Sequence, residues 1–128
     1  MAGVRLDINN WIEMEASLID RSLSGDRNAF GELVEWHYPR VVQIVYRLCG
    51  EKRLAEDMTQ EAFLKAWIKL ASFQRNASFR NWLYRIAINT TLDELRRKKE
   101  LSIEDEKIHM QPDPSPGPEQ ALINLEQS

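Results

Sequence analysis

Apolar positions along this chain recur with helical period in four runs, and Gly, Pro and Asn residues mark the breaks between them. In the first run, residues 12–23, Met14, Leu18 and Ile19, with Trp11 just before them, offer a partly apolar face that Ser24-Gly25 ends. Asp26 then stands where the second helix needs an N-cap. From 27 to 49, Phe30, Leu33, Val34, Tyr38, Val41, Val42, Val45, Leu48 and Cys49 keep the period, with Pro39 inside it. That proline is expected to kink or interrupt the helix unless local geometry absorbs it. The third run, 52–70, places Leu54, Met58, Ala62, Ala66 and Leu70 on one strip that Phe63 and Trp67 widen.

Residues 71–77 are too short and polar for a further helix and predict a loop. The fourth helix, 78–99, starts at a Ser78 cap and ends in Arg96, Arg97, Lys98 and Lys99, which suit the negative end of a helix dipole. Phe79, Trp82, Leu83, Ile86, Ala87 and Thr90 predict its buried face, and Arg85, Asn89, Leu92 and Arg96 follow one another on a different face. With almost no β-branched run outside helical periodicity, the prediction is an all-α fold, a compact bundle of about four helices. Residues 1–17 read as an N-terminal extension and 18–100 as the helical domain. Residues 101–128, with four prolines among acidic groups, read as a flexible Pro-rich acidic linker. Ala121, Leu122 and Leu125 allow a short helix at 119–127, marginal on its own.

Charge changes this picture. The formal net charge of −3 disfavours a nucleic-acid role. Residues 75–99, however, carry seven basic and two acidic groups, whereas 100–128 carry one basic and seven acidic. A basic block beside an acidic tail is expected where one region meets phosphate and the other is solvated or meets a basic partner. Cys49 is the only cysteine, so no intrachain disulfide can form, and its place at the end of an apolar helix predicts a small core residue. No apolar run approaches the roughly 20 residues of a bilayer span and no signal-peptide order is present, so the expected compartment is the cytoplasm.

Catalysis has little support. His37 and His109, the two histidines, lack an acid or nucleophile partner at motif spacing, and no Gly-rich phosphate cradle exists. Glu56, Asp57 and Glu61 have no second ligand-bearing motif elsewhere, so no metal, cofactor or catalytic residue is expected. The third helix places Asp57, Gln60, Glu61 and Leu64 on one face, and its plainest reading is a solvated surface with a Glu61–Lys65 pair. Phe73, Arg75, Trp82, Arg85 and Asn89 supply what capture of a single strand needs: ring or guanidinium faces for stacking, cations for phosphate, and an amide for a base edge. Trp82, within the apolar face, reads more naturally as core.

Three segments, GDRNAFGELVEWHYPRV, LAEDMTQEAFLKAW and SFRNWLYRIAINTTLDELRRKK, resemble in order and spacing region 2 of the extracytoplasmic-function (ECF) sigma factors of the sigma-70 family, over residues 20–99. The resemblance implies that Asp57, Gln60, Glu61 and Leu64 dock the clamp helices of the β′ subunit of core RNA polymerase. It further implies that the loop of Phe73, Gln74, Arg75, Asn76, Ala77 and Ser78 captures a base flipped from the non-template strand of the promoter minus-ten element. Asn89 matches a position facing unpaired bases, and Arg85 and Arg96 are phosphate contacts by charge and stripe position. A complete member continues into region 4, which these 128 residues lack. Two functions are therefore expected: promoter recognition and melting with bacterial polymerase, or an interaction module held by an anti-sigma factor. A helix-turn-helix reading duplex DNA is disfavoured, because the basic helix follows a seven-residue loop rather than a tight turn.

Overall fold

The computed structural model describes residues 8–105, which form four α-helices with no strand among the described residues. The helices are α1 (Ile8–Leu23), α2 (Arg27–Cys49), α3 (Lys52–Lys69) and α4 (Phe79–Asp105), and a 3-10 turn, Leu70–Ser72, closes α3. The predicted all-α bundle of four helices is present. The linker beyond residue 105 and the short helix expected at 119–127 lie outside the described residues.

Helix α1 is already helical at Ile8, the first described residue, four residues before the periodicity suggests. A tertiary contact accounts for the difference: the Trp11 ring stacks on Trp36 of α2 with centroids 4.3 Å apart and planes 20° apart. One turn on, a Glu15 carboxylate oxygen lies 2.9 Å from Nε2 of His37, which is itself buried. His37 thus finds an acidic partner 22 positions away, beyond the reach of any local motif. Leu18 and Ile19 complete the seam.

Gly25, at φ 100°, makes the turn that L side chains rarely adopt, and Asp26 caps α2 through Oδ1, which accepts the amides of Asn28 at 3.0 Å and Ala29 at 3.2 Å. Oδ2 accepts the Arg21 guanidinium at 2.9 Å. That guanidinium first, and the Ala29 amide second, hold the Asp26 carboxyl below the ordinary carboxylate range. A carboxyl depressed in the folded state stabilises above its unfolded pKa, and the contribution fades as pH falls through the folded value. Asp26→Ala is therefore expected to melt at lower temperature than wild type at pH 7, and circular dichroism melts should show the gap closing as pH drops below about 4. A gap that persists in acid would rule out the capping carboxylate as its source.

Helix α2 runs unbroken through Pro39. Pro39 and Glu35, whose carbonyl loses its helical partner, are both exposed, so water can serve the carbonyl. Gly50 ends the helix in the left-handed conformation, and α3 returns antiparallel, bringing Trp67 to Phe30 at 5.0 Å and Phe63 to Tyr38 at 6.2 Å. Leu33, Val41, Val45, Ala62, Ala66, Leu83 and Ala87 fill the centre. The hydroxyls of the buried Thr59 and Thr91 donate to the Ala55 and Ala87 carbonyls at 2.7 and 2.8 Å, so neither is left unsatisfied. Cys49 is half-buried against this core.

On α4, Phe79, Leu83, Ala87 and Thr90 are buried and Trp82 and Ile86 half-buried, matching the expected inner face. Leu92 does not follow the exposed stripe: it is buried together with Ile88 and Thr91. Because α4 packs on both α2 and α3, its inner face shifts around the helix along its length. The helix also continues past Lys99 to Asp105, since good helix formers follow and the next proline is Pro112.

Candidate nucleic-acid interface and docking face

The loop between α3 and α4 is held at both ends. Phe73, half-buried, sets its ring edge-on to Phe79 with centroids 5.5 Å apart and lies 5.2 Å from Trp82. Phe79 meets Trp82 at 5.7 Å and His37 at 5.6 Å, so the four rings form one cluster joining loop, α2 and α4. A ring engaged on two sides has little free face for a base. At the other end, the Ser78 hydroxyl accepts the Asn81 amide at 3.3 Å, the cap expected from the sequence. Between these anchors the Ala77 amide donates to the Gln74 carbonyl at 3.1 Å, a turn that leaves Gln74, Arg75, Asn76 and Ala77 exposed. Arg75 is ion-paired with Asp20 of α1, a tie that spans 55 positions.

Arg85, Asn89 and Arg96 are exposed on one side of α4. At 1.5 Å per residue they extend over about 16 Å, with Leu92 turned inward among them. Arg85 has no ion-pair partner among the described residues, whereas Arg96 lies 3.7 Å from Asp93. Arg80, in the first turn of α4, is exposed and unpaired among the described residues. Arg80 was not among the phosphate contacts expected above, although its place in the basic block next to the loop marks it as a candidate. Arg97 is turned to Glu94, whose carboxyl it holds below the usual range. Lys98 reaches Glu51 at 4.0 Å, fixing α4 beside the α2–α3 turn.

On α3, Asp57, Gln60, Glu61 and Leu64 are all exposed, Leu64 by 64%. The expected Glu61–Lys65 pair is not formed, and neither Asp57 nor Glu61 has an ion-pair partner among the described residues. Gln60 and Leu64 form part of the wall of an apolar groove of about 440 Å³ between α2 and α3, floored by Phe30, Val34, Phe63 and Trp67. Ile68, one turn further, is 78% exposed. Two unpaired carboxylates and an amide beside exposed aliphatic groups and an apolar groove are the elements of a protein-docking surface. This face and the basic stripe belong to different helices. No helix of the described residues is long and apolar enough to cross a membrane.

The sigma-70 region 2 family matches residues 33–100. Among curated proteins, the ECF RNA polymerase sigma factor SigW of Bacillus subtilis (strain 168) is 44% identical over 75 residues, 59% of this chain and 40% of SigW. The chain spans about two-fifths or less of the length of the curated relatives it matches. An engineered region 2 of sigmaE, solved in complex with GTAAAA, superposes with TM-score 0.58 at 34% identity, covering 75% of this chain and 94% of that one. CnrH, solved with the cytosolic domain of CnrY, superposes with TM-score 0.59 at 30% identity, over 72% of this chain and 61% of CnrH.

Proposed function

The chain belongs to the sigma-70 region 2 family, of the ECF kind, and from that premise we propose that it docks on core RNA polymerase and captures the non-template strand of the promoter minus-ten element. The observation that carries this reading is the separation of two open surfaces: an acidic and apolar face on α3, and an exposed turn leading into a basic stripe on α4. In this reading Asp57, Gln60, Glu61 and Leu64 meet the clamp helices of β′. Gln74 and Asn76 present amides to the edge of a flipped base, and Asn89 serves the next unpaired bases. Arg85 and Arg96 hold phosphates, with Arg80 added to them. Phe73 acts from beneath, by fixing the loop on Phe79 and Trp82, rather than as a stacking platform. Extruding a base costs a few kcal/mol, which phosphate contacts and hydrogen bonds to the base edge can offset without ATP, so no chemical step is required.

The sigmaE region 2 complex with GTAAAA supports strand capture by this fold. Binding of single-stranded oligonucleotides to wild type and Arg85→Ala across a salt series tests it here. The variant should weaken binding to all sequences alike and flatten the plot of log K against log salt by about 0.7. An unchanged slope would remove Arg85 from the phosphate contacts, and wild type that binds no oligonucleotide would remove strand capture.

A second reading has its own support, since CnrH is solved holding a protein domain, that of CnrY. An anti-sigma factor could cover the same groove and docking face, silencing the chain through the surface it needs for polymerase.

A further inference from the structure

Asp20 lies on α1, before the residues that match the region 2 family, yet its carboxylate accepts the guanidinium of Arg75 in the candidate recognition loop. Phe73 and Ser78 fix the ends of that loop through their own near neighbours. Among the described residues, the Arg75–Asp20 pair is the one side-chain tie from the exposed turn 74–77 to another helix. Its anchor is firm, because α1 is held to α2 by the Trp11–Trp36 stack, the Glu15–His37 contact and the buried Leu18 and Ile19.

We propose that Asp20 is a positioning residue for base recognition: by holding Arg75 it keeps the turn 74–77 in shape before DNA arrives, so that Gln74 and Asn76 meet the base already ordered. This rests on the reading that the loop takes the minus-ten base. A turn ordered in advance loses less conformational freedom on binding, and the gain falls on the interactions that depend on its shape, those with the base edge. Phosphate contacts from α4 do not depend on the turn and should not change. Simple charge repulsion predicts the opposite, since a carboxylate that is 70% exposed beside the strand would weaken binding to every sequence.

The test uses the whole chain and fluorescence-labelled single strands: GTAAAA and every single-base replacement of it. Wild type should discriminate at one position or more. Asp20→Asn should reduce that discrimination by up to about fivefold, the upper end for an exposed ion pair, while its melting temperature and its binding to a clamp-helix fragment stay as in wild type. Asp20→Glu should restore discrimination. In the free protein, hydrogen exchange of the Ala77 amide, which donates to the Gln74 carbonyl, should quicken in Asp20→Asn. Discrimination kept by Asp20→Asn, or a uniform tightening on all strands, would overturn the role of Asp20 and leave the loop as the reading site. Wild type that discriminates nowhere would overturn the loop reading and the role of Asp20 together.

Discussion

Asp57→Arg is expected to lose retention on a fragment carrying the clamp helices of β′ by about a hundredfold or more, with folding intact. Asp57 is exposed on α3 and pairs with nothing among the described residues, so its replacement removes no internal contact. Substitutions at such positions usually change stability by within about 0.5 kcal/mol. Across an interface the sign matters far more. A carboxylate that meets a basic partner both steers the encounter and fixes register, and reversing it juxtaposes like charges at a cost of several kcal/mol. Pull-down of the fragment, with circular dichroism of both proteins, checks the result. Retention by the folded variant at wild-type level would move polymerase docking off this face.

The same variant separates the two occupants proposed for α3. A partner that enters the groove between α2 and α3 draws on Phe30, Val34, Phe63 and Trp67 as well as on the acidic rim. Its binding is dominated by apolar burial, so one rim charge should affect it much less than it affects a clamp-helix contact built on the carboxylates. Loss of polymerase binding with an inhibitor complex left standing would mean that both readings hold on overlapping surfaces.

Local signals in the sequence carried most of this architecture, and contacts across the bundle carried what they missed. Asp26 and Ser78 cap the helices they precede because capping needs only a side chain within three residues of the orphan amides. The α2 periodicity was legible for a similar reason, and Pro39 does not spoil it because the carbonyl that loses its donor is that of Glu35, an exposed residue within reach of water. Leu92 was misplaced on the exposed stripe because a helical wheel treats α4 as if one face were buried from end to end, whereas its neighbours change along its length. The early start of α1, the partner of His37 and the partner of Arg75 all depend on pairs 22 or more residues apart, which no periodicity records. At the docking face, the sequence offered a Glu61–Lys65 pair as the plainest alternative. That pair is not formed, and neither side chain has an ion-pair partner among the described residues, which favours reading the face as a surface for a partner.

Leu83→Ala should produce the largest loss of stability of the changes considered. Leu83 is 0% exposed and, with Leu33, is the largest of the fully buried side chains. It sits one turn after Phe79 on α4, the helix that closes the bundle over α2 and α3. Truncating a leucine in such a place costs about 2 to 5 kcal/mol, from lost transfer free energy and from the cavity left behind. Against the 5 to 15 kcal/mol that holds an ordinary domain together, about a third of the total is then at stake, and the melting temperature should fall by about 10 to 25 °C. Thermal and urea denaturation check this directly. The functional consequence differs in kind from that of a surface change. Leu83 lies two positions from Arg85 and on the same helix whose first turn ends the loop proposed for base recognition, so loosening α4 blurs the stripe and loop together. Strand binding should therefore fall at temperatures near the new midpoint and recover on cooling, whereas Arg85→Ala should weaken it at every temperature. A variant that melts as wild type does would mean that α4 is held by contacts other than its buried apolar face.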